Sequence, residues 1–387
     1  VEEKLKELNN TKLIVENTNI NNNTFKLPTQ QYLGNKIKYI DFIKDSIPDD
    51  VLTICDAFSG SGIVSRLFNQ RASQLYTNDL SGYSKTLNQC FLANLCPSEM
   101  TKVDKYISTA NKHADNKTNK YLKPFVSLHW APSNELIGLN DRVYFTHENG
   151  IRIDIYRNYI DTLPEKFRPF LLAVLLVECS IHNNTNGQFS AFYKNGDIGQ
   201  YGGKKNIDLR RITQPITLHM PVQSQSQYNV PRSDVHIHQM DTNQWVRDIP
   251  ELDLVYFDPP YNTHPYCIFY FLLDIINNWN TQDIIPDSYR GQPKTWTKSH
   301  YNSSINAKKT FEDLISNTRS KYILLSYNSG GIIDLDSLDA ILSKYGSVEK
   351  IPVDHKTYNK LKGISEYKRV QDKDPIQEYF WLLTKNI

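Results

Sequence analysis

The sequence predicts an α/β protein whose mostly parallel sheet ends in an antiparallel hairpin and is interrupted by a second domain. Three observations carry this prediction. Short β-branched or aromatic runs end in acidic or Gly-rich turns: VLTIC before Asp56, LYTN before Asp79, LDLVYF before Asp258 and KYILLSYN ending at Asn328. Helix-like stretches separate them, among them IVSRLFNQ, YFLLDIINNW and TFEDLISNTR. Between about Leu95 and Pro231 this rhythm stops, and 387 residues exceed one average domain. Strands that alternate with helices build parallel sheets, whose sites lie at the carboxyl ends of the strands, where these acids stand.

In chain order, residues 1–26 are rich in Glu, Lys and Asn with weak periodicity, and they read as a flexible arm. Residues 27–95 and 232–387 form the catalytic sheet. In its second part Thr310 is the expected N-cap of the helix TFEDLISNTR. SVEKIPVDHKTY and IQEYFWLLTK follow without an intervening helix, which suits an antiparallel hairpin. Residues 96–231 form the insertion. It holds a helical piece, YRNYIDTLPEKFRPFLLAVLLVECS, then a polar Gly-rich segment, NNTNGQFSAFYKNGDIGQYGGKKNIDLRR. No repeat of 20–50 residues points to a solenoid.

Composition excludes several classes. Lys and Arg number 44 against 42 Asp and Glu, so nucleic acid, if bound, must meet a local basic patch rather than a basic chain. The longest apolar run, FLLAVLLV, is too short for a bilayer span of about 20 residues, and the N-terminus lacks the apolar core of a signal peptide; a cytoplasmic protein is expected. Five cysteines without a CxxC pair support neither a disulfide framework nor a zinc ribbon. His236 and His238 alternate on a strand without a third ligand nearby, so no metal site is expected.

Two motifs carry chemistry. In DAFSGSGIVS, Gly60 and Gly62 permit a tight turn from strand to helix, with backbone N–H groups expected to face a ligand. A dinucleotide fingerprint wants G-x-G-x-x-G/A, and Ser65 stands at the third position. Asp56, at the head of the turn, would repel a pyrophosphate and attract an ammonium or sulfonium group, as in S-adenosylmethionine. Asp79 lies 23 residues further on, at a spacing suited to ribose hydroxyls, and Asp241 ends another alternating run where it could reach an adenine or cap a turn.

The second motif is DPPY, Asp258, Pro259, Pro260 and Tyr261, directly after an apolar strand. The consecutive prolines fix the backbone, so the Asp258 carboxylate and the Pro259 carbonyl offer two acceptors to one NH2 group, and Tyr261 offers a ring for stacking. Phe269 or Tyr270 could form an opposite wall, although both suit a helix core better.

DPPY with an upstream DxFxGxG resembles the adenine-N6 DNA methyltransferases that use S-adenosylmethionine. QYLGNKIKYI is similar to the motif that precedes the first strand in that family, and DPPYNTHPYCIFYFLL and LLSYNSGG resemble segments of restriction-modification enzymes. The resemblance covers about Gln31 to Asn94 and Asp234 onward. With the donor loop first, DPPY second and the insertion between them, the motif order looks like the alpha arrangement of that family, in which the insertion, residues 96–231, would be the target-recognition domain.

The resemblance implies a Rossmann-like methyltransferase fold. It assigns Tyr32, Gly34, Lys36, Asp56, Phe58, Ser59, Gly60, Gly62, Asp79, Asp241 and Asp258 to the cofactor, and Asp258 to Tyr261 to catalysis. Methyl transfer would be direct and in line, onto an adenine flipped out of double-stranded DNA. The basic patch would be Lys194, Lys204, Lys205, Arg210 and Arg211, with Lys36 able to approach DNA. A cognate restriction endonuclease is an implied partner, and the oligomeric state stays open. The alternatives are cytosine-N4 or RNA-adenine methylation, a nicotinamide-dependent oxidoreductase, and a DNA-binding protein without catalysis.

Overall fold

The structure, a computed structural model, describes residues 35–221, 234–294, 298–353 and 376–386. The expected arm, Tyr32 and Gly34 lie outside these residues, as does the end of the run SVEKIPVDHKTY beyond Val353.

Elements follow the chain as α1 (Ile40–Asp45), β1 (Thr53–Asp56), α2 (Ile63–Phe68), β2 (Gln74–Asn78), α3 (Gly82–Phe91), α4 (Pro97–Asp115), α5 (His147–Ile160) and α6 (Arg168–Ile181). Then come β3 (Asp234–His238), β4 (Leu252–Phe257), α7 (Phe271–Asn278), α8 (Ala307–Asn317), β5 (Ser320–Asn328), α9 (Leu335–Ser343), β6 (Gly346–Val353) and β7 (Glu378–Lys385). The sheet runs β3-β2-β1-β4-β5-β7-β6. It is parallel from β3 to β5, and β7 joins antiparallel to both β5 and β6. The expected mixed sheet with its hairpin is therefore present. The order reverses between β1 and β4, a topological switch point at which a crevice opens beyond the strand ends.

Strand side chains alternate between faces, so each inner strand feeds two cores. Ile54, Leu254, Leu324 and Phe380 pack with α1 and α2 on one face. Cys55, Val255, Ile323, Leu325 and Trp381 pack with α8 and α9 on the other. Burial on both faces explains why LDLVYF and YILLSY read as continuous apolar runs.

A third core belongs to the insertion. Its helices α4, α5 and α6 share one apolar cluster with Tyr83, Leu87 and Phe91 of α3 and with Phe271, Leu272 and Ile276 of α7. Arg157 on α5 latches this union by donating to the carbonyls of Ile276 (2.8 Å) and Asn277 (3.2 Å) at the end of α7. The physical reason is the apolar faces of α3 and α7, which pack in this helical cluster and not in either sheet core. Two local expectations change. The helical piece of the insertion breaks at Pro164, and Arg168 takes up the carbonyls of Leu163 (2.9 Å) and Asp161 (2.8 Å). Helix α8 starts at Ala307 behind Asn306, so Thr310 lies within its first turns and is not the N-cap.

Candidate active site

At the switch point, strand β1 delivers Asp56 and the following turn, and its neighbour β4 delivers Asp258. The register aligns Asp56 with Tyr256, and Ala57 N donates to the Tyr256 carbonyl at 3.2 Å. Both acids border one cavity of about 450 Å³, a volume suited to a small molecule. Lys36, Phe58, Ser59, Gly60, Asp79, Asp241 and Pro260 also line it. Gly62, Pro259 and Tyr261 are not among the residues that line it.

The turn after β1 is held from within. Ser59 N donates to Asn78 O (2.9 Å), Gly60 N to Asp79 Oδ2 (2.8 Å) and Gly62 N to Ser59 O (2.7 Å). Protein oxygens thus take the N–H groups of Ser59, Gly60 and Gly62, and the expectation that the turn's N–H groups face a ligand does not hold for these three. A turn with three donors taken and the Asp56 carboxylate at its head is a poor anion cradle, which argues against a pyrophosphate at this loop. Gly62 adopts φ +75°, and a Cβ there would fall on the Asn88 amide oxygen, inside van der Waals contact. That is why this position takes glycine.

Asp56 is 1% exposed. Its Oδ2 accepts from Ser65 Oγ at 2.6 Å, while Oδ1 has no hydrogen-bond partner among the described residues. Ser65, which spoiled the dinucleotide pattern, thus serves the carboxylate. Burial pushes the Asp56 carboxyl up to about 7, with Ser65 acting against the rise and Asp258 and Asp79 adding to it. Asp79 ties two turns together by accepting from Gly60 N and from Ser81 N (2.9 Å), and burial raises its carboxyl as well. Asp241 caps a short helix through Gln244 N (3.2 Å), so its turn role is realised at a position that also borders the cavity.

Around DPPY the structure places a buried ion triad. The Lys36 ammonium lies 2.8 Å from Asp258 Oδ1 and 3.2 Å from Glu378 Oε1. Lys36 is 4% exposed, which corrects its expected approach to DNA: its charge is spent inside the site. Burial raises the Asp258 carboxyl to about 6, Lys36 opposes that rise and Glu378 reinforces it. Burial works against the ammonium of Lys36, but Asp258 and Glu378 outweigh it and hold it well above its ordinary value.

The Tyr261 ring meets Tyr327 edge-on at 6.2 Å, and its hydroxyl bonds to that of Tyr266, which does line the cavity. Neither aromatic considered for an opposite wall serves. Tyr270 is buried in the helical core, and Phe269 packs beside His264.

Sequence reasoning missed Glu378, Asp274, Tyr266 and Phe125. Asp274 interrupts the apolar run of α7 and faces the cavity, where burial and Asp79 raise its carboxyl to about 7. An acid inside an apolar helix was its available signal. Phe125 comes from the insertion, where Asp154 anchors the N–H groups of Phe125 (3.1 Å), Val126 (2.8 Å) and Ser127 (3.1 Å).

The basic patch divides. Lys194, Lys204, Lys205 and Arg210 are exposed, and Lys194 lies 4.0 Å over the ring of Tyr289. Arg211 turns inward and donates to the carbonyls of Ile181, Asn183 (2.8 Å) and Thr185 (3.2 Å). It is withdrawn from the expected phosphate contacts because those carbonyls, past the end of α6, need donors.

Comparison with known proteins agrees with this geometry. The model of the D12 class N6 adenine-specific DNA methyltransferases matches residues 32–341. Among curated relatives, the type II methyltransferase M.NlaIII of Neisseria lactamica is 27% identical, covering 92% of this chain and 99% of its own. The type II methyltransferase M.CviAII of Paramecium bursaria Chlorella virus 1 is also 27% identical, covering 84% and 92%. The type II methyltransferase M.FokI of Planomicrobium okeanokoites is 25% identical over 92% of this chain and 53% of its own. With its two strand-end acids meeting at one cavity and its motifs in this order, the chain belongs to the D12 class N6 adenine-specific DNA methyltransferases.

Proposed function

We propose that the chain methylates a flipped-out adenine in double-stranded DNA at N6, with S-adenosylmethionine as donor, as the modification half of a restriction-modification system. One observation carries the cofactor reading. A buried carboxylate oxygen, Asp56 Oδ1, has no hydrogen-bond partner among the described residues and borders the same cavity as Asp258. An unsatisfied buried acceptor calls for a donor, and a cationic ligand supplies one. The cavity's acids, Asp56, Asp79, Asp241, Asp258, Asp274 and Asp283, suit a positively charged ligand and disfavour a phosphate.

When bound, S-adenosylmethionine supplies an electrophilic methyl group on a sulfonium and leaves as the neutral thioether. Asp56 would receive the ammonium of its methionine part and Asp79 the ribose hydroxyls, while Phe58, Ser59, Gly60, Asp241 and Asp274 would wall the site. Gly62 sets the turn. Asp258 and the Pro259 carbonyl accept the two N–H groups of the target amine. They would orient that nitrogen's lone pair and stabilise positive charge developing on it. Pro260 fixes this backbone, and Tyr261 stacks on the extruded base, whose removal from the duplex costs a few kcal/mol. After transfer, the surplus N6 proton passes to Asp258 or to water. Exposed Lys194, Lys204, Lys205 and Arg210 meet DNA phosphates.

The similarity to type II methyltransferases supports a cognate endonuclease as partner. The five free cysteines suit the reducing cytoplasm. Asp258→Ala is expected to lower methyl transfer to duplex DNA by about 10³-fold or more, with the fold and cofactor binding retained. Methyl transfer at the unchanged rate refutes the assignment. Nucleoside analysis of the modified DNA identifies the base: N4-methylcytosine in place of N6-methyladenine overturns the substrate.

A further inference from the structure

Lys36 is shared. Its ammonium stands between Asp258, 2.8 Å away at the end of β4, and Glu378, 3.2 Å away at the start of β7. Glu378 is 5% exposed and is held by Ser326 Oγ on β5 at 2.7 Å, two residues along from its register partner Asn328. A carboxylate is expensive to bury, so one placed here by two strands must be compensated, and it is compensated by the cation that touches the DPPY aspartate. Two carboxylates around one ammonium leave the cluster with one net negative charge. Asp258 paired with Lys36 alone would be neutral as a unit and a weaker partner for a nitrogen that becomes positive.

We propose that Glu378 is a positioning residue for methyl transfer: by drawing Lys36 to itself, it lets the ammonium orient Asp258 through Oδ1 without neutralising the face turned to the target amine. The inference rests on the methyltransferase reading of the site. Among the described residues, the groups that face Asp258 are Lys36 from the turn before α1, Glu378 from β7, Asp56 from β1, and the phenols Tyr256 on β4 and Tyr261 after it.

The test is steady-state methylation of duplex DNA by the full chain as wild type, Glu378→Gln and Ser326→Ala, from about pH 5 to pH 9. Glu378→Gln should lower kcat by about 10-fold to 100-fold with KM for S-adenosylmethionine within about twofold. Its acid limb should also move to lower pH, because a negative neighbour of Asp258 has been removed. A purely structural role would lower the active fraction and leave that limb in place. Ser326→Ala keeps the charge and loosens it, so it should move both quantities in the same direction by less, and it serves if Glu378→Gln does not fold. Wild-type kcat in the variants, or a loss of kcat with an unmoved acid limb, overturns the inference. A wild type that transfers no methyl group to DNA would instead overturn the methyltransferase reading beneath it.

Discussion

Replacing Gly62 by alanine strains the turn after β1 from two directions. The residue sits at φ +75°, where a left-handed conformation costs an L-residue about 1–2 kcal/mol. The new Cβ also falls on the Asn88 amide oxygen, so Asn88 must swing away. Asn88 Nδ2 donates to Ser59 Oγ at 2.9 Å, and Ser59 Oγ lies 3.2 Å from Ser84 Oγ, which donates to Gly60 O at 2.5 Å. Displacing Asn88 therefore forfeits at least one buried hydrogen bond, about 0.5–1.5 kcal/mol. The combined expectation is a loss of about 2–3 kcal/mol in stability, read from urea unfolding at unchanged m-value. Cofactor affinity should fall as well, because Ser59 and Gly60 border the cavity. A Gly62→Ala protein within about 0.5 kcal/mol of wild type, with undiminished affinity, would refute this account of the turn.

Two further outcomes follow from the same geometry. With its carboxyl near 7, Asp56 is about half protonated at neutral pH, and an ammonium placed against Oδ1 favours the carboxylate. Binding of S-adenosylmethionine should therefore release a fraction of a proton at pH 7 and weaken as pH falls below 7. Calorimetry in two buffers of different ionisation heat checks this, and identical heats in both would contradict it. In the insertion, Arg211→Ala should lower stability by about 2–4 kcal/mol, since three carbonyls lose a charged donor. Lys204→Gln should instead leave the melt unchanged and reduce the salt dependence of DNA binding by about one phosphate. If Lys204→Gln destabilises the fold and Arg211→Ala alters only salt dependence, the division of the patch is wrong.

Much of the site was legible in the sequence because its signals are local. A strand of alternating or continuous apolar residues ending on an acid places that acid at the rim of a parallel sheet, so Asp56, Asp79 and Asp258 could be named from pattern alone. Paired prolines and the Gly60/Gly62 turn restrict their own backbone and need no distant partner to be read. The hairpin was visible for the same reason: two strand-like runs followed one another without a helix.

Tertiary structure decided what depends on residues far apart in the chain. Glu378 reads as one more charge at the head of EYFWLL until β7 pairs with β5 and sets it against Lys36, more than 340 residues earlier. Lys36 and Arg211 look alike as exposed cations in sequence. Which carbonyls and carboxylates surround them turns one into a buried partner of DPPY and the other into a tie for the end of α6. Which neighbours cover the insertion's helices was likewise decided by packing, because an apolar helix face such as that of α3 or α7 states that it must be covered but not by which neighbour.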